Sequence, residues 1–433
     1  MAVSVPRMNS VKVSGILIHR LQLLAVFWCG CIILGLFTGN IVRVLSSVGI
    51  IGLVATSIAY IYVQGGLLRS RITPAYWSLM GIFAIHVVWG IQTQAGNWGE
   101  FNRGILLQSP FLLLPLAFWL LAGFPGRYLR GLYLFFIGLV TLSALGSTGN
   151  YLLHTAQIHK MYLQSQIMPT VPDHIRFSLM VTYAITIGAM LLWKEGVPQK
   201  WRKGLVAVVL FLIVYQHMLA VRSGLLTLYV LAGVAVVALV LWERKYKLAV
   251  LVLAFMLVLP LLSYAVLPTF HNKFLNTQED VGRVEQSGSA NNYSLVGRIY
   301  SYKVALQIVD KHPWVGVGRA NMEQAIAREY QSSFPQINSR AYILPHNQFL
   351  FNLVAFGGIG IMLFTVFFYF PGIRVWPRQA PLLLSHYLIV TLSFLVEYPL
   401  ELQVGLNFTL IFLMLALNGQ EKSSEFDTTW RPV

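Results

Sequence analysis

The chain has 433 residues, 57% of them hydrophobic and only 11% charged, and its mean hydropathy of +0.67 excludes a water-soluble enzyme. Thirty-one Lys and Arg stand against 15 Asp and Glu; in a membrane chain such an excess must first be sorted by side before it is read as a nucleic-acid signal. The two cysteines, Cys29 and Cys31, share the first apolar block and read as packing residues, not as a disulfide framework or a zinc site.

Charge-free apolar runs of about 17–22 residues are long enough for a helix to cross ~30 Å of hydrocarbon. They predict twelve spans, at about 21–39, 41–63, 75–92, 105–122, 129–147, 176–193, 204–220, 223–242, 248–267, 346–370, 381–396 and 402–418. An even number puts both termini on one side. With the termini in the cytoplasm, eighteen basic residues fall on inner segments: Arg7, Lys12, Arg20, Arg69, Arg71, Arg127, Arg130, Lys194, Lys200, Arg202, Lys203, Arg244, Lys245, Lys247, Arg374, Arg378, Lys422 and Arg431. Only Arg43, Arg103, Lys160, Arg176 and Arg222 fall on short outer segments. The other eight lie in one outer loop, 268–345, which is long enough to escape the positive-inside rule. Much of the net charge is therefore topology. The first apolar block is followed by a second span and by no small-residue cleavage site, which reads as ordinary insertion, not as a cleaved signal peptide. The inner loops are too short for a nucleotide-binding domain, which argues against ATP or nucleotide-sugar chemistry.

The expected division is 1–267 for spans one to nine, 268–345 for an extramembrane loop domain, 346–418 for the last three spans and 419–433 for an inner tail. Within the loop, Ile299, Tyr302, Leu306 and Val309 recur at helical spacing, residues 319–333 form a second helix candidate, and 312–318 contains a turn. The stretch 275–295 is polar, rich in Gly, Ser and Asn, and is expected to be mobile.

Four ionisable residues lie close to the outer membrane edge: Arg176, Arg222 and His346 at span ends and Arg298 at the start of the first loop helix. One arginine there can simply snorkel to headgroups; several that converge suit an anion, because guanidinium forks match phosphate oxygens. His346 opens a span beside Asn347. It reads either as an interfacial histidine bonded to backbone or as a neutral imidazole that accepts a proton, with nearby cations favouring the uncharged ring. Glu397 and Glu401 flank the last outer joint, where they either pair with loop arginines or orient an acceptor. Trp77, Trp98, Trp193 and Trp242 read as interfacial belt residues. Gly316-Val317-Gly318 is a turn without the strand that a dinucleotide fingerprint needs. No His/Cys spacing or acid cluster suggests a metal.

The segments Val221-Arg222-Ser223-Gly224-Leu225-Leu226, Gly297-Arg298-Ile299-Tyr300, His312-Pro313-Trp314-Val315-Gly316-Val317-Gly318 and Pro345-His346-Asn347-Gln348-Phe349-Leu350 occur in order with consistent sidedness. Together they resemble the bacterial O-antigen ligases, within the group that also holds O-antigen polymerases and membrane O-oligosaccharyltransferases. The likeness is best over about 205–365 and elsewhere rests on the span pattern.

The resemblance implies an all-α polytopic protein of the Gram-negative inner membrane, with an active face in the periplasm. It implies metal-independent, inverting transfer of O-antigen from undecaprenyl pyrophosphate to a sugar hydroxyl of lipid A core, with no cofactor and no nucleic-acid partner. Arg222 and Arg298 would hold the pyrophosphate and His346 would act as base at the acceptor. Arg176, Asn347 and Glu397 complete the expected substrate-binding set, Arg176 from its depth and Glu397 from a place where relatives carry an acid. The alternatives are an O-antigen polymerase, a protein O-oligosaccharyltransferase and, from another class, a flippase for lipid-linked sugars. The spans are nearly free of charge, apart from residues such as His86 and His217, which disfavours a transport path.

Overall fold

A computed structural model describes residues 8–39, 42, 44–66, 73–164, 166–194, 196–283, 285–375 and 380–420, with side chains from Gly15 onward. Arg7, Arg43, Arg69, Arg71, Arg378, Lys422, Arg431, the side chain of Lys12 and most of the tail lie outside the described residues.

The first helices are α1 (Met8–Thr38), α2 (Leu45–Gln64), α3 (Thr73–Val88), α4 (Trp98–Gln108), α5 (Pro110–Leu120), α6 (Gly126–Leu153) and α7 (Thr155–Leu163). There follow α8 (His174–Trp193), α9 (Gln199–Leu219), α10 (Arg222–Leu241) and α11 (Tyr246–Val266). The long loop holds α12 (Pro268–Gly282), α13 (Ser294–Lys311) and α14 (Met322–Ser333), and the chain ends in α15 (Gln348–Arg374), α16 (Pro381–Phe394) and α17 (Gln403–Asn418). No strand occurs among the described residues. Ten helical runs there are long and apolar enough to cross a membrane, with α16 and α17 as shorter apolar helices. The chain is a multi-pass membrane protein with an all-α fold.

Helix α17 is the centre of the bundle: every residue from Gly405 to Asn418 is buried. Helix α8 is nearly as enclosed, and Tyr183 on it packs among Phe136, Phe408 and Phe412. Helix α11 is the opposite case. Only Ala249 and Ser263 are buried on it, while Leu251, Phe255, Leu257 and Leu261 face outward, a surface that suits lipid and not water. The predicted fourth span is broken at Ser109 into α4 and α5, because Pro110 cannot donate the next helical bond.

Hydrogen bonds gather the helix connections at one face. Asn321 in the long loop bonds to Gln92 and Gln94 between α3 and α4. The Tyr162 hydroxyl of α7 donates to Leu219 O (2.8 Å) at the end of α9, and Gln108 Nε2 donates to Leu400 O (2.9 Å) between α16 and α17. At the other end of the bundle, Arg130 Nη1 donates to Gly196 O (3.2 Å) and Arg202 Nη2 to Leu192 O (3.0 Å), so basic residues there serve as helix-end caps.

Two features of the loop depart from the sequence expectation. Part of the polar stretch 275–295 is helix α12, followed by a short 3-10 turn at Ser287–Asn291. The turn 313–318 pairs with the middle of α15: Val317 N donates to Val354 O (3.0 Å), Gly318 N to Ala355 O (2.9 Å) and Gly358 N to Pro313 O (2.8 Å). Helix α15 accommodates this by breaking at Gly357, where φ is +66° and a Cβ would overlap the Trp314 carbonyl.

Candidate functional site

Helix α16 stops at Phe394, and three residues later Glu397 turns its carboxylate into the gathered face with only 4% of its side chain exposed. Its Oε1 accepts from Arg298 Nη2 at 2.9 Å and from His346 Nδ1 at 3.0 Å; its Oε2 lies 3.5 Å from Arg176 Nη2. Burial alone would raise the carboxyl's pKa. The hydrogen bond and charge of His346, then Arg298 and Arg176, outweigh it and hold Glu397 below the usual carboxylate range. Arg176 is held a second time by Asp173 Oδ1 at 2.8 Å, and Asp173 also caps α8 by accepting from Ile175 N at 3.1 Å. Burial opposes ionisation of Asp173 too, yet His174 and Arg176 leave its pKa lowered.

His346 is fixed from three sides. The Tyr302 hydroxyl donates to its backbone carbonyl (2.7 Å), the Tyr398 ring packs edge-on with centroids 5.0 Å apart, and Glu397 takes Nδ1. An ionised carboxylate only accepts, so Nδ1 carries a proton, and in the neutral ring the lone pair is on Nε2. Nε2 has no hydrogen-bond partner among the described residues. The sequence reading surrounded this imidazole with cations; its direct contact is a carboxylate. Asn347 does structural work with both ends of its amide: Oδ1 caps α15 through Leu350 N (3.0 Å), and Nδ2 donates to Leu395 O (3.2 Å).

Arg222 stands at the first turn of α10, after a joint in which Ala220 adopts a left-handed φ of +52°. Two residues on, Gly224 lets α10 approach α8, since a Cβ there would overlap the Gln216 side-chain amide and lie 2.6 Å from Ser178 Oγ. Thr182 Oγ1 donates to Gly224 O across the contact (3.1 Å). Arg222 Nη2 reaches Asp280 Oδ2 at 3.4 Å, whereas its Nε is buried with no partner.

Asp280 comes from α12, and the same face of α12 carries Lys273, a residue the sequence reading missed. Thr269 Oγ1 donates to Met218 O (2.7 Å) and Asn276 donates to Tyr162 O, which fixes the helix beside the α9–α10 joint. Lys273 makes no hydrogen bond or contact ion pair among the described residues. Burial, then the charge of Arg222, outweighs Asp280, and Arg298 adds to them, lowering its pKa to about 8. Lys273 is thus near enough to both Arg222 and Arg298 to feel their charge, and His174 near enough to feel Lys273, Arg176 and Glu397. Lys273, within electrostatic range of both, lies near Arg222 and Arg298 alike.

The result is a cluster of four cations, Arg176, Arg222, Lys273 and Arg298, against three carboxylates, Asp173, Asp280 and Glu397. It can bind a multiply charged anion through unused N–H groups and place beside it an imidazole nitrogen that is a base when the ring is neutral. Among the described residues no three His, Cys, Asp or Glu side chains gather closely enough to hold a metal ion.

Residues 205–365 match the family model described as O-Antigen ligase. This stretch is an O-antigen ligase family domain. Comparison with curated proteins finds no match. The matched stretch runs from α9 into α15 and so contributes Arg222, Lys273, Asp280, Arg298 and His346, while Arg176 comes from α8 and Glu397 from the joint between α16 and α17, both outside it. The match supports activity of the O-antigen ligase or polymerase type in general.

Proposed function

We propose that the protein is an inner-membrane O-antigen ligase whose gathered face lies in the periplasm. It transfers O-antigen from undecaprenyl pyrophosphate to a sugar hydroxyl of lipid A core. The observation that carries this reading is the His346–Glu397–Arg298 contact: one buried carboxylate orients an imidazole and an arginine side by side. A lipid pyrophosphate presents its charge at headgroup depth, where Arg222, Arg298, Lys273 and Arg176 would spread the negative charge of the leaving group. The acceptor hydroxyl gives its proton to His346 Nε2 as its oxygen bonds to the anomeric carbon. The anomeric C–O bond breaks with its electron pair leaving on undecaprenyl pyrophosphate. One attack on the face opposite the leaving group inverts the anomeric centre. The basic residues at the opposite end of the bundle support a cytoplasmic placement of that end.

The acceptor separates ligation from polymerisation and from protein glycosylation. The test is reconstitution of the purified chain with lipid-linked glycan and lipid A core, with lipopolysaccharide read on a gel. His346→Gln, which keeps hydrogen bonding but supplies no base of suitable strength, is expected to abolish transfer. Arg222→Lys is expected to fail more than its retained charge suggests, because a fork becomes a point. Normal transfer by His346→Gln removes the base role; extension of lipid-linked glycan in place of lipid A modification makes the protein a polymerase.

A further inference from the structure

A cavity of about 400 Å³ opens at the far end of α13. Arg298 and Lys311 lie thirteen residues apart on this helix, roughly 20 Å at 1.5 Å per residue, so the cavity is separate from the cluster around Glu397. Gln92 and Gln94 form one wall, Lys311 and His312 a second, and Asn321 and Arg328 a third.

The walls are braced from within. Buried Asn321 donates through Nδ2 to Gln92 O and Val317 O, both at 2.8 Å, and accepts through Oδ1 from Gln94 N (3.1 Å) and Asn97 Nδ2 (2.9 Å). The groups left to a ligand are the Gln94 amide, the His312 ring and the outer nitrogens of Arg328, whose Nε alone is used, on Gln324 O (3.3 Å). Lys311 pairs with Glu329 and is still 59% exposed, so two permanent cations face one carboxylate. Beside the cavity, the turn that pairs with α15 exposes Trp314 and Val315, Trp314 to 72%. A cationic, amide-lined cavity next to an outward tryptophan at the top of a span has the polarity profile of an amphiphile's headgroup and the start of its chains.

We propose that this cavity binds the phosphorylated saccharide headgroup of a glycolipid. Arg328, Lys311 and His312 take the phosphate, Gln94 takes a sugar hydroxyl, and Trp314 borders the acyl chains. That this glycolipid is the acceptor of the transfer rests on the function proposed above; the binding itself does not. The span between cavity and His346 then accommodates the saccharide that links the lipid headgroup to the reacting hydroxyl.

The test uses the purified full chain in nanodiscs, with bound lipid read by native mass spectrometry, and needs no turnover. Bisphosphorylated lipid A is expected to be retained in preference to its dephosphorylated form and to phosphatidylglycerol. Arg328→Gln is expected to weaken lipid A retention by roughly tenfold or more, the loss of one charge-assisted hydrogen bond, and Gln94→Ala to weaken it further. Both variants are expected to keep wild-type affinity for undecaprenyl pyrophosphate, and in transfer assays to raise KM for the acceptor with kcat unchanged. Equal retention of phosphatidylglycerol, wild-type lipid A binding by the double variant, or full displacement by inorganic phosphate overturns the proposal. Failure of the ligase reading would leave selective lipid A binding intact, so the two outcomes are distinguishable.

Discussion

His346 Nδ1 and Glu397 Oε1 lie 3.0 Å apart, on an oxygen that also receives Arg298 at 2.9 Å. One buried carboxylate therefore sets the tautomer of the imidazole and the position of the guanidinium together. Glu397→Gln replaces two accepting oxygens by one oxygen and one donor, so the amide cannot serve His346, Arg298 and Arg176 at once. Transfer is expected to fall by about 10²–10⁴-fold, the range of a general base's contribution, with membrane abundance retained. Steady-state transfer by the purified variant checks it; an unchanged kcat would remove Glu397 from any orienting role.

The same carboxylate predicts an acid limit on stability. Its folded pKa is lowered from 4.5, so its contribution is fully present above that value and is lost as pH falls through the lower folded value. Thermal unfolding in detergent is expected to lose midpoint steadily below pH 4.5 in the wild type. In Glu397→Gln the midpoint starts lower and changes less over that window, since the titrating group is gone. Parallel curves for the two proteins would show that other acids govern the transition.

Lys273 predicts an alkaline limit on donor binding. Its pKa is lowered to about 8, so the unfolded chain binds more protons than the folded one from there up to the ordinary lysine value. The cost of burying the charged amine is full below pH 8 and is relieved as pH rises through this window. Anion binding favours the ammonium and should pull a proton in. Affinity for undecaprenyl pyrophosphate is expected to weaken above pH 8, with proton uptake in calorimetry across buffers of different ionisation enthalpy. Lys273→Arg is expected to flatten that limb, and Lys273→Met to weaken donor binding most below pH 8 and progressively less above it. A wild-type limb retained in Lys273→Arg would assign the titration to another group.

The spans were legible because an apolar run of about twenty residues has few other uses. Arg176, Arg222 and His346 could be grouped from sequence because each falls within a few residues of a span end on one side, where depth is fixed by the bilayer, whereas Arg298 joined them only as the start of a loop helix. Lys273 and Asp280 were invisible for a physical reason. On α12 the fully buried residues, Thr269 and Asp280, are polar, while the apolar Phe274, Leu275 and Val281 are exposed. Apolar periodicity is read as the face that packs inward, and here it is the reverse. The pairing of the 313–318 turn with α15 was equally hidden, since a run of apolar residues conceals the break at Gly357.

Arg222 owes its position to a contact two residues away. Gly224 packs α10 onto α8 with no space for a methyl group, against Gln216 and Ser178. In Gly224→Ala the helices must separate, at a cost of about 1–3 kcal/mol typical of overpacking, and the first turn of α10 carries Arg222 with it. A shift of about 1 Å in a positioning group costs on the order of 10²-fold in rate, so transfer is expected to fall far more than stability. Truncating the opposing side chain supplies the control. Gln216→Ala removes the amide that the new methyl would strike but leaves Ser178 Cβ at 2.5 Å, so the double variant is expected to recover only part of the lost transfer, a coupling between neighbours that separate defects would not show. Transfer rates and thermal midpoints of the two single variants and the double variant decide it. Additive losses would mean that Gly224 matters for helix α10 itself and not for the placement of Arg222.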